Sequence, residues 1–158
     1  MKEILRFKVR ILRPEEYKQL LSGCSKPDMR TMLQALLYTG MRYIEMKRFQ
    51  KYPSWFDGNG FIHLPKDAVH KHKRTQMERF VRLNPQGKLI IEYFVQMKRK
   101  YPSYQSWAEN MKCWARRSGL SETGLGSKTM INAIPIFSAI QPLVNSSIFL
   151  SPFFNLFN

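Results

Sequence analysis

Arg42 and Glu45 are the residues of this chain with the clearest capacity for phosphate chemistry. They lie in ALLYTGMRYIEMKRF, Ala35 to Phe49, where an apolar helical run meets Thr39 and Gly40 and an arginine opens the next helical segment. A guanidinium offers two parallel donors that match two nonbridging oxygens of a phosphodiester, a geometry that a lysine ammonium does not reproduce. At a helix start, just past a glycine turn, it sits where the backbone also approaches phosphate closely. Glu45, three residues on, shares the helix face and is placed to orient Arg42. Taken alone, the same pair also suits a solvated ion pair worth a fraction of a kcal/mol.

A second group follows in KDAVHKHKRTQMERFVRL, where Lys66, Lys71, Lys73, Arg74, Arg79 and Arg82 form a dense set of cations suited to gripping DNA phosphates. The formal charge of +15, from 26 basic and 11 acidic residues, points the same way, toward a polyanionic partner. Double-stranded DNA is the expected partner, with an acidic membrane surface or plain solubility as the competing readings of the charge. His63, His70 and His72 supply a His-x-His without a carboxylate or cysteine at ligand spacing, so neither a metal site nor a cofactor is expected. Cys24 and Cys113 lie far apart and read as free thiols of a reducing compartment. Charges interrupt every apolar run of MKEILRFKVRILRPEEY, which leaves no secretory signal and makes the cytoplasm the expected location.

Positioning these residues requires a mixed architecture. Pro14 with Glu15 and Glu16 predicts a helix start, and Pro27 with Asp28 predicts a second. In the second helix Met32, Leu33, Leu36 and Leu37 fall at helical spacing and Gly40 suits the C-terminal cap. Arg42 to Gln50 forms a third helix. WFDGNGFIHLP predicts a hairpin turning at Asp57 to Gly60, and ERFVRLN adds a strand. Asn84 caps a helix through Gly87 to Lys100, with Leu89, Ile90, Tyr93, Phe94 and Met97 on one face, and Ser103 caps another running through Trp107, Met111 and Trp114 to Gly119. The expected class is α+β, mostly helical, with a small three-stranded antiparallel sheet. A chain of 158 residues suffices for one core, burying roughly 70% of its unfolded surface.

The composition shifts once. Thr129 to Asn158 carries no charge and holds five of the eleven phenylalanines, while Pro135, Pro142 and Pro152 interrupt it short of the ~20 apolar residues of a membrane span. The expected division is a domain over 1–128 and an uncharged hydrophobic tail over 129–158 that is foreign to it.

The string Ala35 to Phe49 resembles the first arginine box of the tyrosine recombinases, the phage-integrase family. The resemblance extends over roughly Glu15 to Lys128 and implies part of a recombinase catalytic domain, with Arg42 as one of two arginines that clamp the scissile phosphate and Glu45 at the acidic position of the box. It also implies a catalytic lysine in the turn between two strands, protonating the departing 5′ oxygen. HKHKRTQMERFVRL occupies that place. The strand match puts Met77 at the lysine position, so Lys73, or in second place Lys71, takes the role from the turn. GLSETGLGSKTM is similar to the lead into the second box of archaeal integrases.

After that point the family pattern stops. The sequence has no tyrosine after Tyr104 and no histidine after His72, so the second arginine, the His-x-x-Arg element and the tyrosine nucleophile have no counterpart. The separate helical core-binding domain has none either. The resemblance therefore implies a DNA-binding fragment of a site-specific recombinase, truncated before the second box, that serves DNA integration without cleaving alone. Its partners would be duplex DNA and intact recombinase protomers. A noncatalytic DNA-binding regulator and a degraded pseudogene product are the alternatives.

Overall fold

A computed structural model describes residues 4–6, 9–68 and 78–126 of the chain. Within them the order is β1 (Ile4–Arg6), β2 (Val9–Ile11), α1 (Pro14–Gly23), α2 (Pro27–Thr39), α3 (Tyr43–Lys51), a 3-10 turn (Pro53–Trp55), β3 (Phe61–Leu64), a 3-10 turn (Lys66–Ala68), β4 (Arg79–Arg82), α4 (Pro85–Gln96) and α5 (Tyr104–Arg117). The class is α+β with helices dominant. The helices pack in two pairs, α1 on α5 and α2 on α4, and the second 3-10 turn rests on α3.

The sheet content differs from the expected three strands. Two separate two-stranded antiparallel sheets form, β1 with β2 and β3 with β4. The residues read as the first hairpin strand contribute a single bridge, Phe56 opposite Ile62. Pro53 is the reason: it has no backbone N–H to donate to a ladder, and its fixed φ starts the 3-10 turn instead. Asp57 then closes the turn tightly. Its Oδ1 accepts the N–H groups of Asn59, Gly60 and Phe61 at 2.7–2.9 Å, and these bonds, the one from Phe61 foremost, hold its carboxyl below the usual range.

The β1–β2 hairpin has no counterpart in the sequence reading, where charges such as Arg10 break up the apolar runs of this segment. Arg10 is buried. Its guanidinium donates to Glu16 Oε1 at 2.7 Å and to the Ser121 carbonyl, while its backbone N–H donates to the Gly124 carbonyl. One arginine thus ties β2, α1 and the chain after α5 together. Glu16 also accepts the Arg13 N–H at 2.9 Å, which caps α1. Burial by itself would raise the Glu16 carboxyl, but the Arg13 N–H and the Arg10 guanidinium outweigh it and hold the carboxyl below its ordinary value.

Helix α4 corrects two further expectations. It ends at Gln96 rather than Lys100, because Gln50 of α3 captures the following loop: its Nε2 donates to the Arg99 carbonyl at 2.6 Å and its Oε1 accepts the Tyr101 N–H at 2.7 Å. Pro102 adds a steric bias against helix at Tyr101. The core face of α4 is Gly87, Ile91 and Phe94, so Leu89 and Tyr93 lie exposed, against the expected placement of both on the core face. Ser103 caps α5 as expected, accepting from the Ser106 N–H at 3.1 Å. Both cysteines are unpaired, and burial pushes the Cys24 thiol up to about 11. The expected tail over 129–158 lies outside the described residues.

The α1–α5 crossing is close enough to require a glycine. A Cβ on Gly23 would come within 2.1 Å of the Trp114 carbonyl oxygen, an atom of the helix backbone that cannot swing aside. Gly23→Ala gains about 1 kcal/mol of helix propensity but forces the two helices apart, so a net loss of about 1–2 kcal/mol in urea unfolding is expected. Glu16→Gln tests the buried pair. Because the folded carboxyl titrates below the unfolded one, its stabilisation is complete above the ordinary carboxylate range and fades as pH falls through the lowered folded value. The variant should be about 3 kcal/mol less stable at neutral pH, with its unfolding curve converging on the unmodified protein's in acid.

Candidate nucleic-acid interface

The α2–α3 turn carries Arg42, and each backbone N–H from Gly40 to Arg42 is bonded. Gly40 takes a left-handed conformation, φ 65°, that closes α2, and its N–H donates to the Leu36 carbonyl at 3.1 Å. Thr39 serves both sides of the turn: its hydroxyl donates to the Ala35 carbonyl at 2.7 Å and accepts the Met41 N–H at 3.2 Å. Met41 is fully buried beneath it. The Arg42 N–H then donates to Glu45 Oε2 at 2.6 Å, and the Arg42 carbonyl accepts the first α3 bond, from Met46, at 3.0 Å. The Thr-Gly step of the string therefore reads as hydrogen-bond geometry, with the Thr39 hydroxyl and the left-handed Gly40 each needed where it stands.

Glu45 acts on Arg42 through the backbone rather than through the guanidinium. The carboxylate is buried, and its Oε2 also accepts from Arg79 Nη2 at 2.6 Å, an ion pair in which the arginine side chain is half exposed. The Arg42–Glu45 pair and Arg79, singled out separately in sequence, thus meet at one carboxylate oxygen. Sequence spacing suggested an Arg42–Glu45 side-chain pair. The structure pairs Glu45 with the arginine of β4, a partner that only the tertiary fold supplies. Arg42 itself is exposed, and among the described residues its guanidinium makes no hydrogen bond or ion pair.

Tyr43 anchors the other side of Arg42. It is buried, its hydroxyl donates to the Pro102 carbonyl at 2.6 Å, and its ring meets Tyr101 edge-on at 5.3 Å between centroids. Burial drives its phenol far above the ordinary value, and the same is true of Tyr101, whose hydroxyl donates to the Met32 carbonyl of α2 at 2.7 Å. Trp107 of α5 packs on both rings. The first turn of α3 is in this way pinned to α2 and to the start of α5.

Of the remaining sequence candidates, Lys66 is exposed on the 3-10 turn that packs against α3, and Arg82 is exposed at the end of β4. Lys71, Lys73 and Arg74 lie outside the described residues, as do His70, His72 and Met77. His63 is half-buried and pairs with Glu78 at 3.1 Å. Among the described residues no group of three or more potential ligands gathers to hold a metal ion, and no helix is long and apolar enough to cross a membrane. Arg10, buried and held on both sides, is a structural residue that charge counting had no means of separating from the solvent-facing ones. Its one sequence signal is the Val-Arg-Ile alternation of β2.

The arrangement can present a positively charged group to an anion from a backbone that does not yield. No family model, no curated protein and no solved structure matches the chain. Glu45→Ala removes the cap of α3 and the partner of Arg79. Since Arg79 is half exposed and solvent screens it, the expected cost is about 2 kcal/mol in urea unfolding, with Glu45→Gln losing less because an amide oxygen still accepts the Arg42 N–H.

Proposed function

We propose that the chain is a DNA-binding portion of a tyrosine-recombinase catalytic domain, which holds the phosphates of double-stranded DNA and does not cleave it alone. The observation that carries this reading is Arg42: an exposed guanidinium, unpaired among the described residues, on a turn whose N–H groups at Gly40, Met41 and Arg42 are all bonded and whose flanking tyrosine is locked in the core. A structural arginine would be spent on a partner, as Arg10 is on Glu16. A phosphate-clamping arginine has to be fixed at its base and open at its tip. Arg79, half exposed beside the same carboxylate, and Lys66, exposed on the turn against α3, extend the positive surface around it.

Two features support binding without cleavage. Tyr43, next to Arg42, and Tyr101, which packs on it, bury their hydroxyls against backbone carbonyls. Between Tyr104 and Asn158 the sequence holds no further tyrosine, and after His72 no histidine. Strand cleavage then falls to intact recombinase protomers on the same DNA.

Two measurements test this. Arg42→Ala should weaken duplex binding about fivefold and reduce the slope of log affinity against log salt by about one, the share of a single phosphate contact. Duplex affinity that ignores salt, or that Arg42→Ala leaves unchanged, overturns the phosphate-clamp role. A nicked suicide substrate should trap no covalent protein–DNA adduct; a trapped adduct overturns the assignment of cleavage to other protomers.

A further inference from the structure

The β3–β4 ribbon has two unlike faces. Its register sets Phe61 opposite Arg82, Ile62 opposite Val81, His63 opposite Phe80 and Leu64 opposite Arg79. Side chains alternate along a strand, so Ile62, Leu64 and Val81 turn toward the core while Phe61, His63, Phe80 and Arg82 share the other face. Among the described residues nothing covers that other face. Phe80 is 66% exposed and Phe61 43%, although both are large apolar rings. The Phe80 and His63 rings lie nearly parallel, 13° apart with centroids 4.7 Å apart, and His63 is steadied in turn by Glu78.

An exposed aromatic pair on a sheet, with an arginine at its end, on a chain of charge +15, matches one partner chemistry well. Every nucleobase has a π-face, and stacking on protein aromatics holds bases that are not occupied in a duplex, while adjacent cations take the backbone phosphates. A duplex cannot use such a face, because its bases are already stacked on one another. The partner is not an apolar peptide, since Arg82 lies directly across from Phe61 and would be left unpaired against it.

We propose that the outer face of the β3–β4 ribbon is a stacking platform for unpaired bases, with Phe80 and Phe61 taking the rings and Arg82 the backbone, so that the chain binds single-stranded DNA here separately from duplex at Arg42. The proposal rests on the nucleic-acid reading given above and adds a second class of substrate to it. Because His63 already covers one face of Phe80, it stiffens that ring in the orientation a base needs. Phe61 and Phe80 lie diagonally across the ribbon, so successive bases of one strand can occupy both.

The test uses the full chain with a fluorescein-labelled oligo-dT of about a dozen nucleotides and, in parallel, a labelled duplex. The double variant Phe61→Ala, Phe80→Ala should lose about tenfold or more in affinity for oligo-dT, with duplex affinity unchanged. Arg42→Ala should show the reverse pattern. Phe80→Tyr, which keeps a stacking ring, should retain most of the oligo-dT affinity and guards against misreading a folding defect, as does an unchanged melting transition. Oligo-dT affinity indifferent to both phenylalanines overturns the platform and leaves the duplex reading intact. Phenylalanine-dependent oligo-dT binding without duplex binding overturns the duplex reading and leaves the platform. Self-association that the double variant abolishes, measured by sedimentation without nucleic acid, overturns the platform in favour of a second copy of the chain as its occupant.

Discussion

One oxygen of the Glu45 carboxylate organises the region on which the functional reading depends. It accepts the Arg42 N–H and the Arg79 guanidinium, both at 2.6 Å, from a buried position. The first contact fixes where α3 begins; the second draws β4, and with it the β3–β4 ribbon, onto the helix. Without that carboxylate, a helix start, a strand and an arginine-bearing turn would have no common reference. A buried charge is stable only when its hydrogen-bonding capacity is met, and here the cap and the ion pair meet it together.

The same device occurs a second time. Glu16 accepts the N–H of Arg13, three residues before it, and pairs with a strand arginine, Arg10. Both helices begin Arg-x-x-Glu, and in both the glutamate ties the helix to a strand: β2, directly before α1, in the first case, and the distant β4 in the second. The difference lies in the strand arginine: Arg10 is buried and also bonds the Ser121 carbonyl, whereas the Arg79 side chain is half exposed. The first instance closes the core around the chain termini of the described region. The second leaves cations facing solvent.

Much of this was legible in the sequence, for identifiable reasons. The starts of α1 and α2 at Pro14 and Pro27, the Gly40 cap and the Asn84 and Ser103 caps rest on local chemistry that a few neighbouring residues determine. Arg42 and Glu45 stood out as a pair for the same reason. What spacing did not reveal is decided at long range. Arg79 reaches Glu45 across 34 positions and Arg10 reaches Ser121 across 111. The end of α4 depends on Gln50, and the strand expected at Trp55 gave way to a proline-started turn. The placement of Tyr93 on the core face failed for a subtler cause: two apolar stripes run along α4, and only packing against α2 selects the one through Ile91 and Phe94.

The knot formed by Tyr43, Tyr101, Trp107 and Gln50 has a consequence for the energetics of capture. Because Tyr43 holds the first turn of α3 to Pro102 and Trp107, Tyr101 bonds α2 and Gln50 secures the last turn, the backbone of Arg42 is ordered once, during folding, and in the proposed clamp would not be ordered again on binding an anion. What remains to be frozen is the side chain alone, on the order of 2 kcal/mol of rotamer entropy at most. The same arginine on a floppy loop would have to surrender backbone freedom as well, at roughly 1–2 kcal/mol for each residue ordered.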